Sequence, residues 1–234
     1  YSLIVAYVSN VLIPFLKETD MKITFIGYGN VGLPLASQLQ KLGHEVTLAA
    51  RDASSESVQK ALALNANLNV DSPAEAVNQA EVVFLATPFS ANQKIIEGLV
   101  PQLEGKILVD CTNPVGRGFT HGLNNEQSGS EWIQSLIPKS HVVKAFSVYG
   151  YENLQNNQYP EYNLKPAMFF CGDNDDAKST IGQLIRDLDW EPMDVGGLEQ
   201  ALHLEHMTLM WVRLVRKNRH SPQLVWGAFR RSAQ

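Results

Sequence analysis

Three glycines near the start of the chain have the spacing of a phosphate-binding turn. Gly27, Gly29 and Gly32 form the pattern G-x-G-x-x-G directly after an apolar run at residues 23–26, and a helical pattern follows them. In this arrangement the first glycine permits a tight turn, the second lets a pyrophosphate approach the backbone, and the third lets the helix pack close to the strand. The helix N-terminus offers free N–H groups to the phosphates. The pattern predicts a dinucleotide-binding site, the alternative being a glycine-rich turn in a non-binding α/β protein. The residues predicted to form this site are Gly27, Tyr28, Gly29, Asn30, Val31 and Gly32.

An arginine follows the second predicted strand, at the position that selects between the two nicotinamide dinucleotides. An NAD site usually has Asp or Glu there to bind the ribose 2′-hydroxyl. In this chain the strand ends in Ala50 and Arg51, and Asp52 comes one position late. A guanidinium can donate paired hydrogen bonds to a 2′-phosphate, and Ser55 can add a hydroxyl. We predict that NADP is the cofactor; the alternative is that Arg51 is a solvated strand end.

Apolar runs that alternate with helical patterns continue along the chain. The runs at residues 81–86, 106–110 and 141–145 are typical of strands in a parallel sheet. Ligands of such sheets bind at the carboxyl ends of the strands. The residues at these ends therefore join the predicted cofactor site: Thr87, Pro88, Phe89, Asn113, Pro114 and Ala145.

The predicted elements together indicate an α/β fold. We expect a Rossmann-type, doubly wound, mostly parallel sheet with a short C-terminal α/β extension and a closing helix. Helices are predicted at residues 54–64, 73–79, 90–99 and 175–188, and a long amphipathic helix at 199–217; the extension adds strands at 167–171 and 191–195. The stretches 116–130 and 149–164 are polar and predict no regular element, and the second could form one wall of the site.

The bulk composition narrows the function classes. The chain has 234 residues, of which 44% are hydrophobic and 18% charged, and this is ordinary for a globular protein of one large or two small domains. A net charge of -5 argues against general nucleic-acid binding. Cys111 and Cys171 have no metal or redox spacing, so we expect two buried free thiols in a reducing compartment and a cytoplasmic location.

The first twenty residues do not fit the rest of the pattern. They are apolar but lack a basic start, are interrupted by Pro14 and are short for a membrane span. We interpret residues 1–20 as an extension and residues 21–234 as one NADP-binding domain with its C-terminal extension. The alternative is a cleaved or membrane-tethering segment.

Five segments carry a resemblance to a known family: FIGYGNVGLPLASQLQKLGHEVTLAARD, FLATPFSAN, GKILVDCTNPV, VVKAFS and FFCGDNDDAKSTIGQLIRDLDWEPMDVGGLEQALHLE. With them the chain resembles the deazaflavin (coenzyme F-420)-dependent NADP reductases and the cytosolic domain of the STEAP-type metalloreductases. The resemblance implies that the glycine turn binds the pyrophosphate and that Arg51 binds the 2′-phosphate. The loops at 87–89, 113–114 and 145–146 would then line the nicotinamide. The family's Ser-Arg pair is Ala50-Arg51 here, a family lysine is replaced by Ser55, and the family asparagine after Lys-Ala-Phe is Ser147.

Three functional hypotheses follow. The first is an NADP-dependent oxidoreductase that passes hydride to a small-molecule acceptor, F-420, FMN or FAD, and that forms a homodimer without membrane or nucleic-acid partners. The second is a reductase of a small carbonyl or imine substrate, and the third is a non-enzymatic NADP-binding regulator. Hydride transfer between two rings needs orientation and exclusion of water more than a side-chain acid, and no catalytic residue is identified. His121 lies in a polar loop and could touch a substrate. His203 and His206 are interpreted as helix-surface or core residues and not as metal ligands.

The acceptor itself would need a slot beside the nicotinamide. Phe146, Tyr149, Leu204 and Met207 could supply its apolar floor, with Asn113 and Ser147 at the rim. The alternative is that these apolar side chains simply pack the last helix onto the sheet.

Overall fold

The computed structural model describes residues 20–231, and its centre is one sheet of eight strands. The strands are β1 (Lys22–Ile26), β2 (Glu45–Ala49), β3 (Asn69–Asp71), β4 (Val82–Leu85), β5 (Ile107–Asp110), β6 (His141–Lys144), β7 (Ala167–Gly172) and β8 (Glu191–Asp194). Their order across the sheet is β3-β2-β1-β4-β5-β6-β7-β8. The first six strands are parallel, β7 is antiparallel to β6, and β8 is parallel to β7. The predicted fold class is confirmed.

Nine α-helices accompany the sheet within the described residues. They are α1 (Gly32–Lys41), α2 (Glu56–Leu64), α3 (Pro73–Gln79), α4 (Asn92–Glu97), α5 (Val100–Leu103), α6 (Gly129–Leu136), α7 (Tyr151–Gln155), α8 (Asp175–Asp187) and α9 (Ala201–Val212). Short 3₁₀ turns at Phe89–Ala91 and Leu198–Gln200 precede α4 and α9, and a π-helical turn at Arg213–Lys217 follows α9.

The core forms on both faces of the sheet, because successive side chains of a strand point to opposite faces. Phe25 of β1 packs on the face covered by α1, α2, α8 and α9, where its ring stacks on Phe84 of β4 at 4.5 Å between centroids. Ile26 packs on the other face, which α3, α4, α5 and α6 cover. The two-sided burial explains why the central strands are continuously apolar.

One stretch that was expected to lack regular structure contains a helix, and another helix that was not predicted begins at the end of the other stretch. The helix α6 begins at Gly129, and Ser128 caps it: the Ser128 hydroxyl accepts from the Glu131 N–H at 3.0 Å, and the Ser128 N–H donates to the Glu131 carboxylate at 2.9 Å. The S-x-x-E spacing of this capping box is readable in the sequence. The short helix α7 lies inside the second polar stretch. The prediction that residues 149–164 lack regular structure is therefore wrong, whereas the predicted loop at 116–130 is irregular as far as Ser128.

The closing helix is shorter and less amphipathic than predicted. Its regular part covers Ala201–Val212, and apolar side chains occur around most of its circumference. Within residues 20–231 no helix combines the length and apolarity needed to cross a membrane. Of the predicted extension, residues 1–19 lie outside the described part of the chain.

Both cysteines are buried and free, as predicted. Burial is the main cause that raises the pKa of the Cys111 thiol well above its ordinary value, and the Asp110 carboxylate adds to it. Burial likewise raises the pKa of Cys171 to about 12. Neither thiol is therefore a reactive thiolate near neutral pH.

Candidate functional site

The turn between β1 and α1 contains the three glycines, and each has a different steric environment. Gly27 has φ +91°, and a Cβ there would lie 2.7 Å from the carbonyl of Ala86 after β4. A Cβ on Gly32 would overlap the carbonyl oxygen of Gly27, so α1 packs on the turn only because position 32 has no side chain. A Cβ on Gly29 would meet no protein atom within 4 Å. The space in front of Gly29 can therefore receive a ligand, as the motif requires.

The first turn of α1 is open to an anion. Val31 precedes the helix and provides no side-chain cap, and the first turn contains no acidic residue. The Leu33 N–H donates to the Gly29 carbonyl oxygen at 3.0 Å. The remaining N–H groups at the helix start can bind phosphate oxygens. Tyr28 is half-buried beside the turn and Asn30 is exposed.

A cleft of about 690 Å³ lies against this turn, at the carboxyl ends of β1, β2 and β4. Its lining contains two cationic side chains and no carboxylate, although the whole chain has a net charge of -5. The lining residues are Ile26, Gly27, Tyr28, Gly29, Ala49, Arg51, Ser57, Pro73, Thr87, Ser90, Ala91, Lys94, Ile95, Gly98 and Leu99.

Arg51 lines this cleft, as the NADP prediction requires. Its side chain is exposed and has no hydrogen bond or ion pair within residues 20–231. The neighbouring Asp52 carboxylate instead accepts from the Ser54 hydroxyl at 2.6 Å and the Ser54 N–H at 2.8 Å. These hydrogen bonds lower the pKa of Asp52. The arginine therefore faces the cleft without an acid to neutralise it.

Three polar residues of the cleft lining were not predicted from the sequence: Ser57, Ser90 and Lys94. Ser57 lines the cleft, whereas the predicted Ser55 does not, and their hydroxyls lie 3.2 Å apart. Lys94 of α4 supplies the second cation. Lys94 lies within α4, after the 3₁₀ turn that follows β4, so it reaches the cleft through the packing of α4 and no local pattern in the sequence identifies it.

The segment after β4 contributes Thr87 to the cleft. The Thr87 hydroxyl donates to the Asn92 side-chain oxygen at 2.7 Å. Pro88 is exposed, and the half-buried Phe89 ring packs against Trp132 of α6 at 5.4 Å between centroids. Pro88 and Phe89 are not among the residues that line the cleft.

The two remaining predicted loops lie next to this segment but outside the cleft lining. The Asn113 amide donates to the Ser147 carbonyl oxygen at 2.9 Å, and its oxygen accepts from the Thr208 hydroxyl at 3.1 Å. Pro114 is buried, and Ala145 has no exposed surface. The structure thus brings Thr87 to the cleft and uses Asn113 to join β6 to α9. Contact of these loops with a nicotinamide stays a prediction.

Three of the side chains expected to floor an acceptor slot belong to the core. Phe146 and Leu204 are 1% exposed, and Phe146 lies 5.9 Å from Phe84 between ring centroids. Tyr149 stacks on Trp190 at 5.5 Å, and its hydroxyl donates to the Ala167 carbonyl oxygen at 2.6 Å. The assignment of these three residues to a slot is wrong; they pack the last helix and the strand extension onto the sheet.

A cluster of buried charges lies behind the cleft, between β5, β6 and α9. The Lys144 ammonium lies 3.2 Å from the Asp110 carboxylate and 3.1 Å from the Glu205 carboxylate, and all three side chains are at most 1% exposed. Burial alone would lower the pKa of Lys144, but the two carboxylates outweigh burial and raise it. Lys144 therefore stays charged and compensates both acids.

His121 belongs to this cluster and not to a substrate pocket. Its Nε2 lies 2.7 Å from the Glu205 carboxylate, and its Nδ1 accepts from the N–H groups of Leu123 and Asn125. Because Nδ1 accepts, Nε2 carries a proton and donates to Glu205. The expectation that His121 touches a substrate is not supported, since its side chain is 1% exposed.

The two histidines of α9 lie at the surface. His203 and His206 are exposed, and the His206 ring nitrogen pairs with the Asn125 side-chain oxygen at 2.8 Å. Within residues 20–231, no group of three or more His, Cys, Asp or Glu side chains could hold a metal ion.

A protein-family model described as "NADP oxidoreductase coenzyme F420-dependent" matches residues 22–114. The matched part contains the glycine turn, Arg51, Thr87 and the loop at residues 113–114.

Curated proteins show the same similarity over more of the chain. The metalloreductase STEAP3 of Rattus norvegicus is 32% identical over 189 residues, which are 80% of this chain but only 36% of that protein. The F420-dependent NADP reductase of Methanothermobacter marburgensis is 28% identical over 214 residues, which are 85% of this chain and 94% of that one.

Among solved structures, a candidate F420 dependent NADP-reductase from Arthrobacter sp. FB24 superposes with a TM-score of 0.74 and 27% identity. The superposition covers 85% of this chain and 95% of the other. These similarities confirm both the resemblance carried by the five segments and the Rossmann-type fold.

Proposed function

Because this chain is similar to the coenzyme F420-dependent NADP oxidoreductases, we propose that it transfers a hydride between NADPH and an F-420, FMN or FAD acceptor. The observation that carries the NADP half of the proposal is the cleft. Its wall combines the open position at Gly29 with Arg51, Lys94 and no carboxylate. NADPH is a polyanion with a pyrophosphate and a 2′-phosphate, so the donors of the cleft fit its acceptors.

Each part of the cleft has a role in this proposal. The turn at Gly27–Gly32 and the start of α1 bind the pyrophosphate. Arg51 binds the 2′-phosphate, and Ser57 and Lys94 of the same cleft lining are further donors. Bound NADPH supplies the hydride, and the protein orients the ring at the Thr87 side of the turn and excludes water from it.

Two observations support a ring acceptor. The relatives with matching length act, by their names, on coenzyme F420 and NADP. The residues proposed for the nicotinamide end of the site, Thr87, Phe89 and Asn113, are all uncharged. Direct transfer of a hydride between two rings needs no side-chain acid, so this lining suits the proposed chemistry.

The test is an anaerobic assay of NADPH oxidation at 340 nm with F-420, FMN, FAD, a quinone and a cyclic imine as separate acceptors. We expect turnover with one of the first three and a higher kcat/KM for NADPH than for NADH. Turnover only with the imine would refute the ring-acceptor proposal in favour of a small-substrate reductase. Tight NADPH binding without turnover on any acceptor would leave a binding protein.

We further propose a homodimer in the cytoplasm. Two free buried thiols suit a reducing compartment. Met210 is 47% exposed on α9, next to half-buried apolar side chains of the same helix, and such a face suits a subunit contact. Sedimentation of the full chain should give twice the monomer mass, and Met210→Lys should lower it; a monomeric wild type would refute the dimer.

A further inference from the structure

A chain of hydrogen bonds runs from the cleft into the buried charge cluster. The Thr87 hydroxyl lies 2.7 Å from the Asn92 oxygen, the Asn92 nitrogen lies 2.9 Å from the Thr112 hydroxyl, and the Thr112 hydroxyl lies 2.6 Å from Asp110. Asn92 and Asp110 have no exposed surface, and Thr112 is 4% exposed. Water therefore does not compete for the bonds of these three buried residues, and each of them must find its partners within the chain.

The Asp110 carboxylate determines the direction of every bond in this chain. One of its oxygens accepts from the Thr112 N–H and hydroxyl, and the other accepts from the Ser130 hydroxyl and the Lys144 ammonium. A carboxylate that receives four donors and lies beside a cation is ionised and can only accept.

The donor and acceptor roles of the remaining groups follow in turn, from Thr112 to Asn92 and then to Thr87. Thr112 has a single hydroxyl proton and donates it to Asp110, so its lone pair must accept from Asn92. Asn92 therefore turns its NH₂ group to Thr112 and its carbonyl oxygen to Thr87. Thr87 must in turn donate its own single proton to Asn92.

We infer that Thr87 presents only lone pairs to the cleft and selects a hydrogen-bond donor of the dinucleotide. Thr87 follows β4, and Arg51 follows β2, on the other side of β1. If Arg51 holds the 2′-phosphate, Thr87 lies toward the nicotinamide half of the cofactor. The donors available in that half are the carboxamide NH₂ and the ribose hydroxyls. This inference rests on the proposed NADP site and adds that Thr87 acts there only as a hydrogen-bond acceptor. Asn92, Thr112 and Asp110 are the positioning residues that impose this role on Thr87.

The first experiment measures binding by calorimetry and needs no acceptor. The ligands are NADP⁺, its analogue with a carboxylate in place of the carboxamide, and 2′-phospho-ADP-ribose, which lacks the ring. If the carboxamide NH₂ is the donor that Thr87 selects, the wild type should prefer the carboxamide over the carboxylate by roughly 10-fold, the ratio for one hydrogen bond. Thr87→Val should abolish this preference, and Thr87→Ser should retain it. Thr180→Val makes the same chemical change on α8, outside the cleft, and should alter no ratio.

The two sources of the donor give different patterns. If the carboxamide is the donor, Thr87→Val weakens NADP⁺ alone. If a ribose hydroxyl is the donor, Thr87→Val weakens all three ligands by a similar factor and Thr87→Ser restores them. Unchanged binding of all three ligands by Thr87→Val, with a wild type that binds NADP⁺, would overturn this inference and leave the proposed function intact. A wild type that does not bind NADP⁺ would refute both.

The second experiment tests the direction of the chain in the carboxamide case. Thr112→Val removes the acceptor that holds the Asn92 amide, so the amide can rotate and Thr87 can turn its proton to the cleft. Binding of the carboxylate analogue should then improve while binding of NADP⁺ weakens, a change of sign that a merely structural loss would not produce. Asn92→Ala frees the same hydroxyl and should act alike, which keeps the test valid if either variant folds poorly. Equal weakening of both ligands in both variants would show that the chain does not set the polarity of Thr87.

Discussion

At the scale of single residues, we propose that Arg51 determines which dinucleotide the cleft prefers. Its guanidinium has no partner within the described residues, so it can give its full hydrogen-bonding capacity to a 2′-phosphate. Arg51→Ala should weaken NADPH binding by about 1.5–3 kcal/mol, the range for hydrogen bonds to charged groups, and should hardly change NADH binding. Calorimetric titration with both cofactors measures this. Arg186→Ala removes an equal charge from α8 and should change neither affinity; equal affinities of the wild type for the two cofactors would contradict the assignment.

Replacement of Lys144 should lower the free energy of unfolding. Lys144→Met leaves Asp110 and Glu205 buried without a cation, and breaking such a group costs about 3–5 kcal/mol. Lys139→Met, by contrast, breaks the exposed pair with Glu104 and should cost at most about 1 kcal/mol. Urea unfolding of the three proteins at neutral pH measures both differences.

The pH dependence of the same variants checks the cause. The raised pKa of Lys144 means that its contribution in the wild type is fully present below about pH 10.4, the unfolded value, and is lost only as the pH rises through the folded value. In Lys144→Met the folded state should take up a proton on the uncompensated carboxylates more readily than the unfolded state. The stability deficit of this variant should therefore shrink as the pH is lowered from 8 to 5. A deficit that does not change with pH would mean that lost packing, and not charge, is responsible.

The cleft residues that could be predicted from the sequence have positions determined by local structure, whereas the positions of the others depend on how helices pack against the sheet. Arg51 and Gly29 occupy positions that the β1–α1–β2 unit determines locally. Ser57 and Lys94 enter the cleft through the orientation of α2 and α4, which depends on how these helices pack against the sheet. Ala145 was assigned from its position at a strand end, but that end turns into the core. The position of a residue at a strand end, read from the sequence, does not reveal whether its side chain is exposed to the cleft or buried in the core.

At the scale of elements, the β1–α1 turn contains one glycine that we expect to affect mainly ligand binding, Gly29, and one that we expect to affect mainly stability, Gly32. Gly29→Ala adds a methyl group that meets no protein atom, so its thermal midpoint should stay close to that of the wild type while NADPH affinity falls. Gly32→Ala places its methyl group on the Gly27 carbonyl oxygen and should lose at least about 1–3 kcal/mol of stability, as overpacking does. Thermal unfolding and NADPH titration of the matched pair test this. Normal affinity in a folded Gly29→Ala would show that the pyrophosphate does not lie over position 29.

Strands were easier to predict than their directions or the short helices. The central strands are buried on both faces, and continuous apolar runs mark them. The antiparallel pairing of β7 follows from the path of residues 145–166, which no local pattern describes. The capping box of α6 was present in the sequence, but the polar residues before it are typical of a loop as well.

At the scale of the whole molecule, we propose that a chain beginning at Met21 contains the complete NADP-binding domain. Within residues 20–231, every residue that lines the cleft lies at or after Ile26, and β1 begins at Lys22. The shorter chain should bind NADPH with the affinity of the full chain, and its midpoint should move by no more than about 4 °C, the shift expected for 1 kcal/mol in a domain of this size. Calorimetry and thermal unfolding of both chains test this. Aggregation of the shorter chain would show that the first twenty residues are part of the domain.

The charge cluster that joins β5, β6 and α9 also restricts how this protein can change in evolution. Replacing Lys144 alone leaves two buried carboxylates without a cation. Replacing Asp110 or Glu205 alone removes part of the negative charge that compensates Lys144. Replacing the whole set with apolar residues of similar volume can be nearly neutral. Substitutions at positions 110, 144 and 205 should therefore be inherited together. Among related sequences we expect these positions to be ionisable as a set or apolar as a set, with single departures rare.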